Sequence, residues 1–391
     1  MNAIAGNPAE AQGLWQAAQQ LNPDQGETAA VLSGLWSEPP QLLPQAEPTL
    51  KLNLRGWFKD EALERLYTLE QRQTDLAELA LARQARAEQT LSKLAFVILL
   101  PIVSALIGSG IILTLLVNTW RSRQRSQPSP LAIARWEVPW DGAWLAIGLL
   151  GGFFFVGQII ISMGLGGVVF ALVNRALGAL ASPDSAGMTA NLVGSIRAQA
   201  IGVFCVYNLM AIGVLSFLYL CLKSFAPLPA DWFQLSPAKG RWYLWGIGGY
   251  LAAYPLVLLV SLVNQQIWAG QGGSNPLLTL ALENQDNVAL IFFFVTAAIA
   301  APIFEEIFFR GFLMTSLTRF MPGWGAVLAS AFIFAAAHLS LAEILPLMTL
   351  GTVLGFVYGR SRNLLASILL HSLWNSGTLL SLFLLGSALR A

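Results

Sequence analysis

The stretch Phe292-Phe293-Phe294-Val295-Thr296-Ala297-Ala298-Ile299-Ala300-Ala301-Pro302-Ile303-Phe304-Glu305-Glu306-Ile307-Phe308-Phe309-Arg310 decides how this chain is read. It is an apolar run of membrane-helix character, broken by two adjacent carboxylates and an arginine. Ionisable groups at bilayer depth cost roughly 2.5–3.5 kcal/mol each on insertion scales, so they face a protein interior or a wet cavity. Glu306 and Arg310 are spaced i, i+4 with the acid nearer the amino terminus, the favourable direction for a helical ion pair. Glu305 lies about 100° around the helix from its neighbour and is free to point elsewhere. One carboxylate paired and one left over is the environmental split that gives two acids different roles. Pro302 cannot donate to the carbonyl of Ala298, which predicts a kinked or opened helix beside the pair.

Working outward, composition places the whole chain in a bilayer. Of 391 residues, 55% are hydrophobic and 11% charged, against about 25% charged in a soluble domain. The formal net charge of +1 gives no global attraction to nucleic acid. Cys205 and Cys221 lie sixteen positions apart in one apolar stretch, about 24 Å along a helix and beyond disulfide reach. The amino terminus lacks the basic region and apolar core of a secretory signal, so insertion is expected to depend on internal spans.

Apolar stretches able to cross a core of about 30 Å occur at 94–119, 143–173, 199–222, 243–263, 288–318, 324–342, 344–359 and 364–386. The expectation is an all-α, polytopic membrane protein of about eight transmembrane helices with a polar amino-terminal helical extension. The second stretch, glycine-rich around Gly164, Gly166 and Gly167, also reads as a broken or tilted helix. Residues 1–92 read as a proline-bearing loose tail leading to an amphipathic helix, whose stripe of Leu63, Leu66, Leu69, Leu76 and Leu79 is a packing face or a surface for a membrane or partner. Residues 93–287 carry four spans, and a polar run, Glu283-Asn284-Gln285-Asp286-Asn287, precedes the segment 288–386.

Basic residues are concentrated in alternate loops: Arg121, Arg123, Arg125 and Arg135, then Lys223, Lys239 and Arg241, then Arg319, then Arg360 and Arg362, with none in the fourth and sixth loops, although the second has Arg175 and Arg197. By the positive-inside rule these odd loops are cytoplasmic. That puts the amino-terminal tail on the far side, against the pull of its own Arg83, Arg86 and Lys93. The location expected is an integral, multi-pass one, in a plasma or inner membrane or an internal membrane such as thylakoid or endoplasmic reticulum.

The chain has two histidines, His338 and His371, and both fall in apolar stretches. Counted from the turn at Met321-Pro322-Gly323, Glu305 and His338 are about equally distant, roughly 24 Å along each helix, which predicts that they meet at one depth. His371 and Asn375, at i, i+4, share a face of the last span. A carboxylate and an imidazole can hold and deprotonate a water, and a second imidazole with a side-chain amide can donate to the oxyanion formed when water adds to a carbonyl. The set reads as amide or ester hydrolysis. The plainer alternative is a polar clamp between helices. The helical zinc signature His-Glu-x-x-His is absent, so no metal or other cofactor is expected, and no Gly-x-Ser-x-Gly elbow supports a serine hydrolase.

These residues resemble the CAAX-processing and bacteriocin-processing (CPBP) intramembrane glutamic endopeptidases, which include the Rce1-like prenyl-protein proteases. The family's three motifs are present in order: Glu305, Glu306 and Arg310 as Glu-Glu-x-x-x-Arg; Phe334 and His338 as Phe-x-x-x-His; and His371 and Asn375 as His-x-x-x-Asn. The resemblance covers roughly 288–386. It implies that Glu305 and His338 activate water, that His371 and Asn375 form the oxyanion hole, and that Glu306, Arg310 and Phe334 support them. It further implies a membrane-associated peptide or protein substrate, lipidated or not, and no nucleic acid. Members without shown proteolysis keep a second class open, a non-catalytic scaffold, chaperone or immunity-type protein.

Overall fold

The computed structural model describes residues 8–19, 23–180, 188–229, 231–238, 240–268 and 286–388, and all regular structure among them is helical. Lys239 and the run Glu283-Asn284-Gln285 lie outside the described residues. The chain forms two compact units, Met1–Ile98 with Leu384–Ala391, and Leu99–Phe383.

In the first unit, helices α1 (Pro8–Gln19), α2 (Pro23–Leu35), α3 (Ala46–Asn53) and α4 (Gly56–Leu69) are followed by the start of the long α5 (Gln73–Gln124). The expected loose tail is thus replaced by short helices around an apolar core of Val31, Leu32, Leu35, Leu50, Leu63 and Leu66, with Leu69, Leu76 and Leu79 packed against it. The prolines do not prevent this. Pro39, Pro40 and Pro44 lie in the connection after α2, and Pro48 sits in the first turn of α3, where no amide donor is needed. Charged pairs seal the unit: Arg72 reaches Glu47 at 2.6 Å and Asp75 at 2.7 Å, Arg86 reaches Asp60 at 2.6 Å, and Arg83 pairs with Glu64. Arg83 and Arg86 are therefore neutralised by carboxylates of their own unit. Arg72, and after it Lys51, hold the Glu47 carboxyl down at about 2.

The second unit contains the rest of α5, then α6 (Gly142–Ala179), α7 (Met188–Leu222), α8 (Trp242–Trp268), α9 (Asn287–Leu317), α10 (Gly323–Ala337), α11 (Ile344–Ser361) and, as far as Phe383, α12 (Leu364–Ala388). Among the described residues seven helices are long and apolar enough to cross a membrane, and the chain is an integral, multi-pass membrane protein. The expected span 324–342 is the exception. α10 has 15 residues, about 22 Å of rise against a core of about 30 Å. It stops at His338, whose amide turns to the Ala335 carbonyl while its imidazole Nδ1 takes the Phe334 carbonyl at 2.9 Å. Leu339 then adopts a left-handed φ of 55°. The side chain that carries the motif is also the cap that shortens the helix.

α6 is unbroken, but from Ile147 to Leu165 it is π-helical, returning to α geometry at Gly166. Its glycines permit close approach: a Cβ at Gly148 would lie 2.4 Å from the Phe312 ring of α9, and one at Gly157 2.8 Å from Val214 of α7.

The odd loops share one face. Arg319 donates to the carbonyls of Val138 and Trp140, Arg360 to Ala132, and Arg362 to Ala134, while Arg362 also pairs with Asp231 at 2.8 Å. The basic residues that set the expected orientation thus strap the first loop across the ends of α9 and α11.

Candidate active site

The site is built on α9. The helix opens twice into π geometry, over Thr296–Ala300 and again over Glu306–Met314, with the α-helical turn Ala301–Glu305 between. Such openings gather at functional sites because they re-aim side chains. The Ala301 amide bonds to Thr296, five residues back. The next residue, Pro302, has no amide to give the following carbonyl, Ala297. That carbonyl accepts instead from Asn375 Nδ2 of α12, at 2.7 Å. A proline and an asparagine from two helices therefore complete one another.

Glu306 is fully buried. Its Oε1 accepts from Arg310 at 2.7 Å and lies 2.9 Å from His371 Nδ1. Arg310, 1% exposed, also donates to the Gly351 carbonyl of α11 at 3.2 Å and lies over the Phe334 ring at 4.4 Å. The arginine fork, stacking face and carboxylate match the geometry that guanidinium supplies and ammonium does not. Glu306 accepts, so His371 Nδ1 carries the proton of that bond, and the ring orientation is fixed.

Glu305 points away from this pair. Its Oε1 accepts from the Tyr207 hydroxyl of α7 at 2.9 Å. Its Oε2 is buried, has no hydrogen-bond partner among the described residues, and lies 3.9 Å from His371 Nε2. His371 therefore faces one glutamate with each nitrogen.

His338 does not meet Glu305 directly: no hydrogen bond joins them among the described residues. Glu305 is 12 residues from the end of α9, whereas His338 is 15 from the start of α10. The intervening turn takes residues that equal counting assigns to α9. Phe334 stands at the level of the carboxylates instead. It is fully buried, 4.8 Å from the His338 ring and 5.8 Å from the His371 ring. With Nδ1–H donating to the Phe334 carbonyl, His338 keeps Nε2 as an acceptor.

Of the residues singled out from the sequence, Glu305, Glu306, Arg310, Phe334 and His371 form one contiguous cluster. Asn375 adjoins it through Ala297, and His338 borders it across the Phe334 ring. Tyr207 is the contact that sequence reading missed. The one signal available was a tyrosine beside Asn208 in an apolar stretch, since a buried phenol needs a partner. A cleft of about 530 Å³ lined by Leu290, Ile291, Phe294, Leu379, Leu380 and Phe383 opens between α9 and α12, one turn from Asn375. Among the described residues no group of three His, Cys, Asp or Glu side chains is placed to hold a metal ion.

Residues 287–377 match the model of a family described as type II CAAX prenyl endopeptidase Rce1-like. This segment is Rce1-like. All seven residues of the three motifs fall within the match, in agreement with the resemblance drawn from them, and the segment is similar to that CAAX-type protease family. Tyr207 lies outside it. No curated protein and no solved structure matches the chain.

Proposed function

We propose that the protein is a metal-independent intramembrane endopeptidase in which Glu305, with His338, activates a water that adds to a substrate peptide carbonyl. The observation that carries this reading is the unequal pair of glutamates. Each has one buried oxygen without a hydrogen-bond partner among the described residues, but Glu306 is paired through Oε1 with both Arg310 and His371, while Glu305, bonded only to Tyr207, has its partnerless Oε2 beside His371 Nε2. One water can donate to both of those acceptors. When Nε2 is protonated, His371 can instead donate to the oxyanion, its other nitrogen being anchored to Glu306. Asn375 supplies a second amide hydrogen from the same helix face.

The substrate proposed is a membrane-associated peptide or protein, with or without a lipid attached. The largely apolar cleft between the start of α9 and the end of α12 can receive an apolar segment one helical turn beyond Asn375. Prenylated tails are what the family description names, and their use here is part of the proposal.

A second reading is favoured by one observation. The Glu306–Arg310–His371 cluster, with the Arg310 donation to Gly351, ties α9 to α11 and α12 and would fasten them with or without hydrolysis, as a scaffold or chaperone requires. Glu305→Gln separates the two, since it keeps shape and removes the base. General-base catalysis is worth about 10²–10⁴-fold, so cleavage of membrane-protein termini, compared by proteomics between wild-type and Glu305→Gln cells, should fall by at least about a hundredfold. A Glu305→Gln strain with full function and unchanged termini would favour the scaffold. Cleavage by the purified protein should persist in a chelator, and its loss there with recovery on adding zinc would refute metal independence.

A further inference from the structure

The Glu305 carboxylate ends an sp³–sp² torsion with a broad energy profile, so something must fix its rotation if one oxygen is to face the reacting water. The groups around it are few. On its own helix Glu306 is taken up by Arg310; on α12 His371 presents Nε2 at 3.9 Å; on α10 His338 lies beyond the Phe334 ring. The one hydrogen bond to Glu305 among the described residues comes from Tyr207 on α7, at 2.9 Å to Oε1. Tyr207 is itself held: its ring packs edge-on against Phe304, the residue before Glu305, at 6.1 Å and 85°. Helix α7 is also fitted closely to α6 where Gly157 meets Val214.

We propose that Tyr207 is a positioning residue for the reaction. Its hydroxyl pins Oε1 of Glu305, and thereby keeps Oε2 turned toward His371 Nε2, where the water that attacks the peptide carbonyl gives up its proton to Glu305. The proposal rests on the reading of Glu305 as the base. It assigns a role in the site to a helix outside the Rce1-like segment, so that 287–377 alone does not complete the site.

Tyr207→Phe removes the hydroxyl and keeps the ring against Phe304. Misplacement of a reacting group by about 1 Å can cost about 10²-fold, so kcat should fall about ten- to a hundredfold with KM within about twofold. In a Glu305→Gln background the same substitution should change the residual rate by less than about twofold, because its effect passes through Glu305. A purely structural tyrosine would slow both backgrounds alike, and that result overturns the proposal, as does a Tyr207→Phe enzyme with wild-type kcat. A readout without substrate is the infrared carboxyl band of Glu305, identified by its loss in Glu305→Gln. It should shift in Tyr207→Phe, and an unshifted band refutes the contact. If Tyr207→Phe folds poorly, the double variant with Glu305→Gln should recover the yield, and failure to recover it counts against the coupling. If Glu305→Gln is fully active, the base assignment is what has failed, and the infrared comparison still decides whether Tyr207 holds Glu305.

Discussion

Arg310→Met should be among the most damaging single substitutions in the second unit. Methionine keeps length and apolar volume but removes three interactions at once: the 2.7 Å bond to Glu306, the donation to Gly351 and the cation over Phe334. Breaking a buried ion pair by removing one partner costs about 3–5 kcal/mol, because the surviving charge is left uncompensated. Loss of the donation to the Gly351 carbonyl, which keeps its place in the α11 helix, adds about 1 kcal/mol. A loss of about 4–6 kcal/mol is a large share of the roughly 5–15 kcal/mol that holds a domain together. Since the chain forms two units, a single melting midpoint would mix them. Hydrogen exchange across α9 and α11 in detergent-solubilised protein is the suitable assay. Arg310→Lys should lose less, about 1–3 kcal/mol, since an ammonium reaches Glu306 but not the Gly351 carbonyl and the Phe334 face together. Pairing Arg310→Met with Glu306→Gln should be non-additive by more than about 1 kcal/mol. If Arg310→Met stays within about 1 kcal/mol of wild type and the cycle is additive, the pair does not organise the site.

Asn375→Leu leaves the Ala297 carbonyl without its donor and should destabilise α9 by about 1–3 kcal/mol in the same exchange assay; Pro302→Ala should restore part of this by returning an amide to the helix, and no rescue would sever the proline from the asparagine. Gly351→Ala places a Cβ 3.1 Å from Ala331 and 3.3 Å from the Arg310 guanidinium, so an overpacking loss of about 1–3 kcal/mol is expected, with α10 and α11 losing exchange protection together. Glu47 is held at about 2 by Arg72 and Lys51, below its unfolded value near 4.5. Its contribution is therefore fully present above about 4.5 and is lost as pH falls toward about 2. Exchange protection of α3 and α4 should weaken through that window in the wild type and much less in Glu47→Gln; equal acid sensitivity in both would dismiss the Glu47 network.

The features legible from the sequence are those set locally. The Glu306–Arg310 spacing fixes a pair one turn apart whatever surrounds it, and the apolar runs fix the membrane helices. The depth of His338 was not legible, because it depends on how many residues the turn after Leu317 consumes and on a cap made by His338 itself. Hydropathy sees an uninterrupted apolar run from 324 to 342, and the backbone ends the helix inside it. The link between Pro302 and Asn375 joins residues on separate helices, and spacing within either helix cannot show it. Tyr207 is the extreme case, since its one local signal, the adjacent Asn208, says nothing of a partner on α9. The amino-terminal unit reads from the sequence as a tail leading to one amphipathic helix because its first helices are short and its prolines frequent, although its leucines have the spacing of a packed face.

The adjacency of the two glutamates has a geometric logic that makes them non-interchangeable. Neighbouring residues on a helix diverge by about 100°, so one side chain can be directed to α11 and α12 and the next to α7 from a single turn of α9. His371 stands between the two directions and contacts both, through Nδ1 to Glu306 and through Nε2 toward Glu305. On the mechanism proposed above, Glu306 would act on the chemistry by orienting His371, and Arg310 by holding Glu306. Glu306→Gln follows as a more informative substitution than its burial suggests: it keeps an acceptor for His371 Nδ1 but leaves Arg310 without a counter-charge. It should lower kcat as Glu305→Gln does, yet also destabilise the fold, which Glu305→Gln should not. Equal stability of the two variants would mean that the pair is not divided into a structural and a reactive half.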